Sequence, residues 1–134
     1  MKIAVLGYGT VGSGVIEVLD VNQKLIASRA KEEIEVKYVL DLRNFPGDKI
    51  QEKIVHDYEI ILNDPEIGIV VEVMGGVEPA NTFVRKALEA GKSVVTSNKA
   101  LVAKHGSALL KTAREKNVNF LFEASVGGGI PILR

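Results

Sequence analysis

The chain has 134 residues, and its 17 lysine and arginine residues balance 17 aspartate and glutamate residues. This balance argues against nucleic-acid and anionic-membrane partners, because both select strongly basic surfaces. The absence of cysteine excludes disulfides, thiolate metal sites and a cysteine nucleophile. No apolar run reaches the roughly 18 residues of a membrane span, and a strand pattern starts directly after Met1. We therefore expect one domain with no signal peptide and a cytoplasmic location.

A glycine-rich turn follows the first predicted strand. Residues 3–6 are apolar, Gly7, Gly9 and Gly12 come next, and helical spacing begins at Val11. In this G-x-G-x-x-G order the first glycine permits a tight turn, the second lets a pyrophosphate approach the backbone, and the third lets helix and strand pack closely. The N-terminus of the helix adds N–H groups and partial positive charge. The pattern predicts dinucleotide binding, and a plain tight turn is the alternative.

A second predicted strand ends in an acidic residue. Apolar residues between positions 11 and 26 recur at helical spacing, and residues 34–40 alternate as in a strand that ends at Asp41. A carboxylate at this strand end is expected to bind the ribose of a dinucleotide. The separation from the glycines exceeds the usual ~20 residues. Asp41 is therefore either the ribose-binding acid after a long helix or an ordinary turn residue.

The segment 44–66 is irregular and contains several turn-forming residues. Residues 54–55 predict a short strand, and residues 58–62 predict a single helical turn. His56 has two acidic residues close to it in the sequence, as a metal site would. Adjacent side chains in a regular element cannot all face one ion, which favours a solvated loop at His56.

The second half of the chain alternates strands and helices. Residues 67–74 are almost continuously apolar, which is typical of a parallel strand covered on both faces, and Glu72 within them is interpreted as a paired structural acid. Gly75 and Gly76 follow, either as a simple turn or as backbone against which a flat cofactor lies. The alternation predicts an α/β fold, a doubly wound parallel sheet with right-handed crossovers. The further predicted elements are a helix at 78–89, a strand at 93–96, a helix capped by Asn98, another helix at about 107–116 and a strand at 119–123.

Four segments make the chain resemble the N-terminal region of homoserine dehydrogenase. They are residues 7–14, 71–76, 91–100 and 123–132, and the specific ones contain Thr-Ser-Asn-Lys-Ala and Glu-Ala-Ser-Val-Gly-Gly-Gly-Ile-Pro. The resemblance covers essentially the whole chain. It implies a Rossmann-type dinucleotide-binding domain of an enzyme that uses NAD or NADP to interconvert L-homoserine and L-aspartate 4-semialdehyde, a step of threonine and methionine biosynthesis.

The resemblance also implies roles for individual residues. Lys99 matches a lysine that the family places beside nicotinamide and substrate, and it is the predicted catalytic residue. A cation in the first turn of a helix opposes the helix dipole, and an exposed surface lysine is the alternative. With Asp41, the predicted cofactor-binding residues are Gly7, Tyr8, Gly9, Thr10, Val11, Gly12, Gly75, Gly76, Thr96, Ser97 and Lys99.

A cation site is a further implication of the resemblance. Family members bind a monovalent cation, such as sodium, largely through backbone carbonyls. The matching residues here are Glu123, Val126, Gly128 and Ile130. Glu123 could instead be a hydrogen-bonding anchor at the end of the last predicted strand.

One position departs from the family's pattern. Many NADP-using members carry arginine immediately before the residue that matches Asp41, and this chain has Leu40 there. Asp41 favours NAD, because a carboxylate repels a 2′-phosphate. Arg43 could take the place of the missing arginine, which leaves NADP open.

The resemblance implies that residues 1–134 are an N-terminal NAD(P)-binding fragment. A second lysine and an acidic residue of the family's site lie further along the family's chain than the position of Arg134. We therefore expect a chain that binds a dinucleotide, lacks the domain for its amino-acid substrate and has little activity alone, in an enzyme that is a homodimer. A free-standing, non-catalytic NAD(P)-binding module and another Rossmann amino-acid dehydrogenase are the alternatives.

Overall fold

Six strands form one sheet in the computed structural model, which describes residues 2–9, Gly14 and residues 35–122. The strands are β1 (Lys2–Leu6), β2 (Glu35–Leu40), β3 (Ile54–Val55), β4 (Ile67–Glu72), β5 (Ser93–Thr96) and β6 (Phe120–Phe122). Their spatial order is β3-β2-β1-β4-β5-β6, and every neighbouring pair is parallel. The order reverses between β1 and β4, which is where open α/β sheets bind ligands. The predicted α/β fold with a doubly wound parallel sheet is confirmed.

Each face of the sheet buries its own set of apolar side chains. In β1, Ala4 and Leu6 belong to the core on one face, and Ile3 and Val5 belong to the core on the other, as the two-residue period of a strand requires. Burial on both faces explains the almost continuous apolar sequence of β4. In the part of the chain that the structure describes, three helices pack on the face of Ala4 and Leu6: α1 (Tyr58–Leu62), α2 (Ala80–Glu89) and α3 (Lys99–Glu115).

The irregular segment contains one more element than the sequence predicted. The short strand β3 and the single-turn helix α1 are confirmed at their predicted positions. A 3₁₀ helix (Lys49–Lys53) precedes them. Asp48 caps it by accepting a hydrogen bond from the Ile50 N–H at 3.0 Å, and Ile50 is buried in the core on the second face of the sheet.

The predicted break in the helical segment after β5 is wrong. Residues 99–115 form one continuous helix, α3, whose first turn is capped by Asn98 as predicted: its Oδ1 accepts from the Leu101 N–H at 3.0 Å. Gly106 lies buried inside this helix. A Cβ there would lie 3.3 Å from a methyl group of Val102, so this glycine gives room to a neighbouring side chain and does not end the helix.

The strand predicted at 67–74 is two residues shorter in the structure. β4 ends at Glu72 because the Glu72 carboxylate accepts the N–H groups of Met74 and Gly75. The N–H groups of Met74 and Gly75 thus bond to the Glu72 side chain and not to a neighbouring strand, and the backbone after Glu72 turns away from the sheet.

An ionic cluster fixes the opposite, amino-terminal edge of the sheet. Asp64 lies in the turn before β4, where its carboxylate accepts from the Lys37 ammonium and from the Tyr38 hydroxyl, the latter at 3.0 Å. Lys37 also donates to Glu66 at 2.8 Å. The hydrogen bond from Lys37 is the main reason why the pKa of Asp64 falls to about 2. This cluster ties β2 to the start of β4, at the far end of β4 from Glu72.

Among the described residues, no helix is both long enough and apolar enough to cross a lipid bilayer.

Candidate functional site

Four strand ends meet at the carboxyl edge of the sheet. β1 continues into Gly7, β2 into Asp41, β4 into the turn that contains Gly75 and Gly76, and β5 into Ser97. Backbone hydrogen bonds continue beyond the strands, because the Gly7 N–H donates to the carbonyl that precedes Asp41 at 2.8 Å. The structure therefore brings these predicted cofactor-binding residues to one edge.

Gly7 and Gly9 shape the glycine turn in different ways. Gly7 has a φ of +103°, which side chains disfavour. A Cβ at Gly7 would lie 3.2 Å from Met74 Cγ and 3.4 Å from Met74 Cα, so this glycine also lets β1 approach the residues after β4. A Cβ at Gly9 would meet no atom of the described residues within 4 Å. Within the described ranges, the space next to Gly9 is therefore open, as expected of backbone that a pyrophosphate approaches.

Asp41 is bonded both to the glycine turn and to Arg43. Its Oδ2 accepts from the Tyr8 N–H at 3.0 Å and from Arg43 Nη2 at 2.9 Å. Its Oδ1 accepts from Arg43 N–H at 2.9 Å and from Arg43 Nε at 3.0 Å. The Arg43 side chain, helped by the two backbone N–H groups, holds the pKa of the Asp41 carboxyl well below its usual range. Four donors occupy the roughly four lone-pair sites of a carboxylate.

The Arg43 guanidinium is held in place and yet exposed. Nη2 also donates to the Tyr8 carbonyl at 3.4 Å, and the guanidinium lies 5.1 Å from the centre of the Phe45 ring. Phe45 in turn packs edge-on against Tyr8, with ring centres 4.8 Å apart. The Arg43 side chain nevertheless keeps 63% of its surface exposed, so a ligand at this edge can reach a fixed cation.

A cavity of about 540 Å³ opens beside the glycine turn. This volume lies within the usual range of small-molecule sites. Asp41, Arg43 and His56 supply polar groups, and much of the remaining wall is apolar, with Met74 and Phe83 among its residues. The cavity thus joins the predicted phosphate turn to the predicted ribose-binding acid.

Sequence reasoning missed much of this wall, including His56, Tyr58 and Phe83. His56 is an exposed loop residue, as predicted, but β3 ends directly before it and brings it to the cavity. Tyr58 and Phe83 stack with ring centres 4.4 Å apart, and the Tyr58 hydroxyl donates to the Phe83 carbonyl at 2.7 Å. No local motif marks an aromatic pair that joins α1 to α2. For His56, its position directly after the predicted short strand could have indicated that it lies at the carboxyl edge of the sheet.

Glu72 is confirmed as a paired structural acid. It is fully buried, its Oε2 accepts from the Met74 and Gly75 N–H groups at 2.8 and 3.3 Å, and its Oε1 accepts from the Thr96 hydroxyl at 2.6 Å. Thr96 is also fully buried, and its Oγ1 accepts from the Asn98 N–H at 3.0 Å. The Thr96 hydroxyl is therefore buried and already hydrogen-bonded to Glu72 and Asn98. It cannot contact a ligand at the surface.

Lys99 is the first residue of α3, in the first helical turn as predicted, and its side chain is exposed. Within the described part of the chain, no residue pairs with its ammonium group. Its position is set by Asn98, which caps α3 and also donates through Nδ2 to the Gly76 carbonyl. The predicted catalytic lysine and the Gly75-Gly76 turn are thus joined through one side chain.

Seven predicted site residues lie outside the described ranges. Thr10, Val11 and Gly12 complete the glycine motif, and the other four are the predicted cation ligands Glu123, Val126, Gly128 and Ile130.

The order of the sheet, the glycine turn after β1 and the acid after β2 define a Rossmann-type dinucleotide-binding domain. The chain belongs to a particular family of such domains, because the family model described as the NAD-binding domain of homoserine dehydrogenase matches residues 7–123.

Relatives of known name agree with this assignment. The homoserine dehydrogenases of Lactococcus lactis and Pseudomonas aeruginosa are 42% and 44% identical to the chain over 139 and 135 residues. These alignments cover 100% of the chain and 32% and 31% of the two relatives. A crystal structure of S. aureus homoserine dehydrogenase superposes with a TM-score of 0.84 at 39% identity, covering 92% of this chain and 32% of that one. The chain spans about a third of the length of these relatives, and the matches favour neither a free-standing module nor another dehydrogenase.

Proposed function

We propose that this chain holds NAD(P) for the interconversion of L-homoserine and L-aspartate 4-semialdehyde. One observation carries the proposal: the glycine turn, the Asp41–Arg43 pair, the Gly75-Gly76 turn and the start of α3 lie along the carboxyl edge of one sheet. A dinucleotide at this edge would have its phosphates near Gly9, its adenosine ribose near Asp41 and its nicotinamide toward Lys99. A further domain would bind the amino-acid substrate, since the relatives are about three times as long.

The described residues fit such a cofactor. Gly9 is exposed, and no atom of the described residues lies within 4 Å of the position that an added Cβ would take. The neighbouring cavity of about 540 Å³ has both polar and apolar walls. Gly75 and Gly76 are exposed, with φ values of +79° and +73°. Backbone without side chains at this point leaves room for a flat ring to lie close to it.

We propose that Arg43 allows NADP to bind as well as NAD. The preference for NAD rests on repulsion between the Asp41 carboxylate and a 2′-phosphate. In the structure the Arg43 guanidinium neutralises that carboxylate and keeps an exposed side, so a 2′-phosphate could pair with it. A ribose 2′-hydroxyl would need one of the four hydrogen bonds at Asp41 to be given up.

The proposed role of Lys99 is to bind the reacting oxygen of the substrate. The bound dinucleotide supplies hydride chemistry. The Lys99 ammonium is exposed and has no partner among the described residues, so it is available to stabilise negative charge that develops on the substrate oxygen. A cation in the first turn of a helix opposes the helix dipole by about 0.3–1 kcal/mol, a cost that a functional role accounts for.

Substitution of Lys99 tests this function. In the full-length enzyme, Lys99→Ala should lower kcat for homoserine oxidation roughly 100- to 1,000-fold, the usual effect of losing one such charge-stabilising donor, with little change in the dissociation constant for NAD. Lys104→Ala, at another exposed lysine of α3, is the matched control and should keep the parent kcat. An unaltered kcat in Lys99→Ala would sink the assignment.

Three finer parts of the proposal rest on the resemblance. We propose a monovalent cation at Glu123, Val126, Gly128 and Ile130, a homodimeric enzyme, and a place in threonine and methionine biosynthesis.

A further inference from the structure

A buried carboxylate joins the two turns nearest the proposed reactive end of the site. Glu72 is fully buried and lies at the last position of β4, beside Thr96 at the last position of β5. Its two oxygens serve different elements: Oε2 accepts from the backbone of the turn after β4, and Oε1 accepts from the Thr96 hydroxyl. No basic side chain bonds to Glu72 in the described ranges.

The same chain of hydrogen bonds continues to the start of α3. Thr96 Oγ1 accepts from the Asn98 N–H at 3.0 Å, and Asn98 Oδ1 accepts from the Leu101 N–H at 3.0 Å. Asn98 Nδ2 donates a hydrogen bond to the Gly76 carbonyl, in the turn after β4. The bonds therefore form a closed circuit between the glycine turn after β4 and the helix end that carries Lys99.

We propose that Glu72 is a positioning residue that fixes the Gly75-Gly76 turn relative to Lys99. This inference rests on the proposed function, in which the nicotinamide lies at that turn and Lys99 binds the substrate oxygen. Glu72 itself is buried beneath the turn, so it acts through Thr96 and Asn98 and touches neither reactant. Small displacements of reacting groups are costly, because a shift of about 1 Å can lower a rate by about 100-fold.

The circuit needs a carboxylate at position 72. Three donors point at Glu72: the N–H groups of Met74 and Gly75 and the Thr96 hydroxyl. Glutamine has the same shape but presents an NH₂ group in place of one acceptor. In Glu72→Gln an amide nitrogen turned toward the backbone would face the N–H donors of the turn. An amide nitrogen turned toward Thr96 would reverse that hydrogen bond and leave the Thr96 hydroxyl proton without its acceptor.

The principal test compares Glu72→Gln with Asp64→Asn in the full-length enzyme. Asp64 is the matched control, because it is also a carboxylate that accepts several hydrogen bonds next to β4, at the opposite edge of the sheet. We expect Glu72→Gln to lower kcat by about tenfold to 100-fold with a smaller change in KM for homoserine. Asp64→Asn should lower the melting temperature and leave kcat near that of the parent. Equal loss of kcat in both variants would overturn the inference, because it would indicate a general effect of reduced stability.

A second measurement does not depend on homoserine activity. Native-state hydrogen exchange should show that Glu72→Gln removes protection at the amides of Gly75, Asn98 and Leu101 together, and the dissociation constant for NAD should rise. If the parent enzyme does not oxidise homoserine, the proposed function fails, and these two readouts still decide the inference. Unchanged protection and a Kd within twofold of the parent would overturn it.

Thr96 provides the variant that decides the matter if Glu72→Gln does not fold. Thr96→Val keeps the shape and removes the hydroxyl that links Glu72 to Asn98, and Thr96→Ser restores that hydroxyl. We expect Thr96→Val to lose kcat in the same way as Glu72→Gln, and Thr96→Ser to recover most of the loss. Similar kcat values for the valine and serine variants would contradict the inference.

Discussion

At the scale of single residues, Gly7 is constrained by both its backbone angle and its neighbours. Its φ is +103°, and an added Cβ would press on Met74 at 3.2 Å. We predict that Gly7→Ala lowers the free energy of unfolding by about 1–3 kcal/mol, the usual cost of a non-glycine residue in such a conformation. Urea unfolding of the chain would measure this, and a variant as stable as the parent would contradict the geometry at this turn.

Gly9 should behave in the opposite manner, because an added Cβ would meet no atom of the described residues within 4 Å. Gly9→Ala is predicted to change the free energy of unfolding by no more than about 0.5 kcal/mol. Its methyl group would stand where the pyrophosphate approaches, so the Kd for NAD should rise at least about tenfold. Calorimetric titration of the Gly9→Ala chain would check this, and unchanged affinity would mean that the phosphates bind elsewhere.

The proposed pairing of Arg43 with a 2′-phosphate gives a prediction for cofactor preference. Arg43→Ala removes the exposed cation and one of the two hydrogen bonds at each oxygen of Asp41, so we expect the Kd for NADP to rise about tenfold or more while that for NAD stays the same or falls. Arg85→Ala, at an exposed position on α2, should leave both constants unchanged. Equal weakening of NAD and NADP binding by Arg43→Ala would show that the guanidinium supports the turn and does not recognise a 2′-phosphate.

At the scale of secondary structure, the elements with a strong local pattern could be predicted from the sequence. β5 has its predicted bounds, and Asn98 caps α3 as predicted. The helix break before residue 107 was wrong, because a glycine followed by serine has the same local pattern whether it ends a helix or lies buried within one. The packing of Gly106 against Val102 is the information that the sequence lacks.

The candidate site shows the same limit. The strand ends could be placed from apolar runs and glycines, and Glu72 could be interpreted as a structural acid because it interrupts an apolar strand. Its partners could not be predicted, because Thr96 lies in another strand and meets Glu72 only through the register of β4 and β5. The hydrogen bond from the Tyr8 N–H to Asp41 likewise joins residues far apart in the chain.

The cluster at the amino edge gives a prediction for pH dependence. The pKa of Asp64 falls from an ordinary value of 3.8 to about 2, chiefly through its hydrogen bond from Lys37. A lowered folded-state pKa means that the ionised carboxylate stabilises the protein above about pH 4 and that this contribution is lost as the pH falls toward 2. Asp64→Asn should therefore destabilise the chain more at pH 7 than at pH 3. Urea unfolding of the parent and the variant at both pH values measures the loss of unfolding free energy. An equal loss at pH 7 and pH 3 would show that the ion pair with Lys37 does not stabilise the protein.

At the scale of the whole molecule, the topology explains why distant sequence segments form one site. The chain runs outward from β1 to β3 and then returns to place β4 on the other side of β1. The carboxyl ends of β1, β2 and β4 therefore surround the cavity beside the glycine turn. Any chain with this strand order gains a crevice there, and the residues at the strand ends decide what it binds.

Direct titration tests whether this edge of the sheet binds a nicotinamide dinucleotide. Isothermal titration calorimetry of the 134-residue chain with NAD and with NADP, with far-UV circular dichroism to show that the chain is folded, should give one saturable site per chain. The same titration of Gly9→Ala should show much weaker binding. The proposal would be contradicted by a folded parent chain that binds neither dinucleotide. It would also be contradicted by a Gly9→Ala variant that binds them as tightly as the parent chain does.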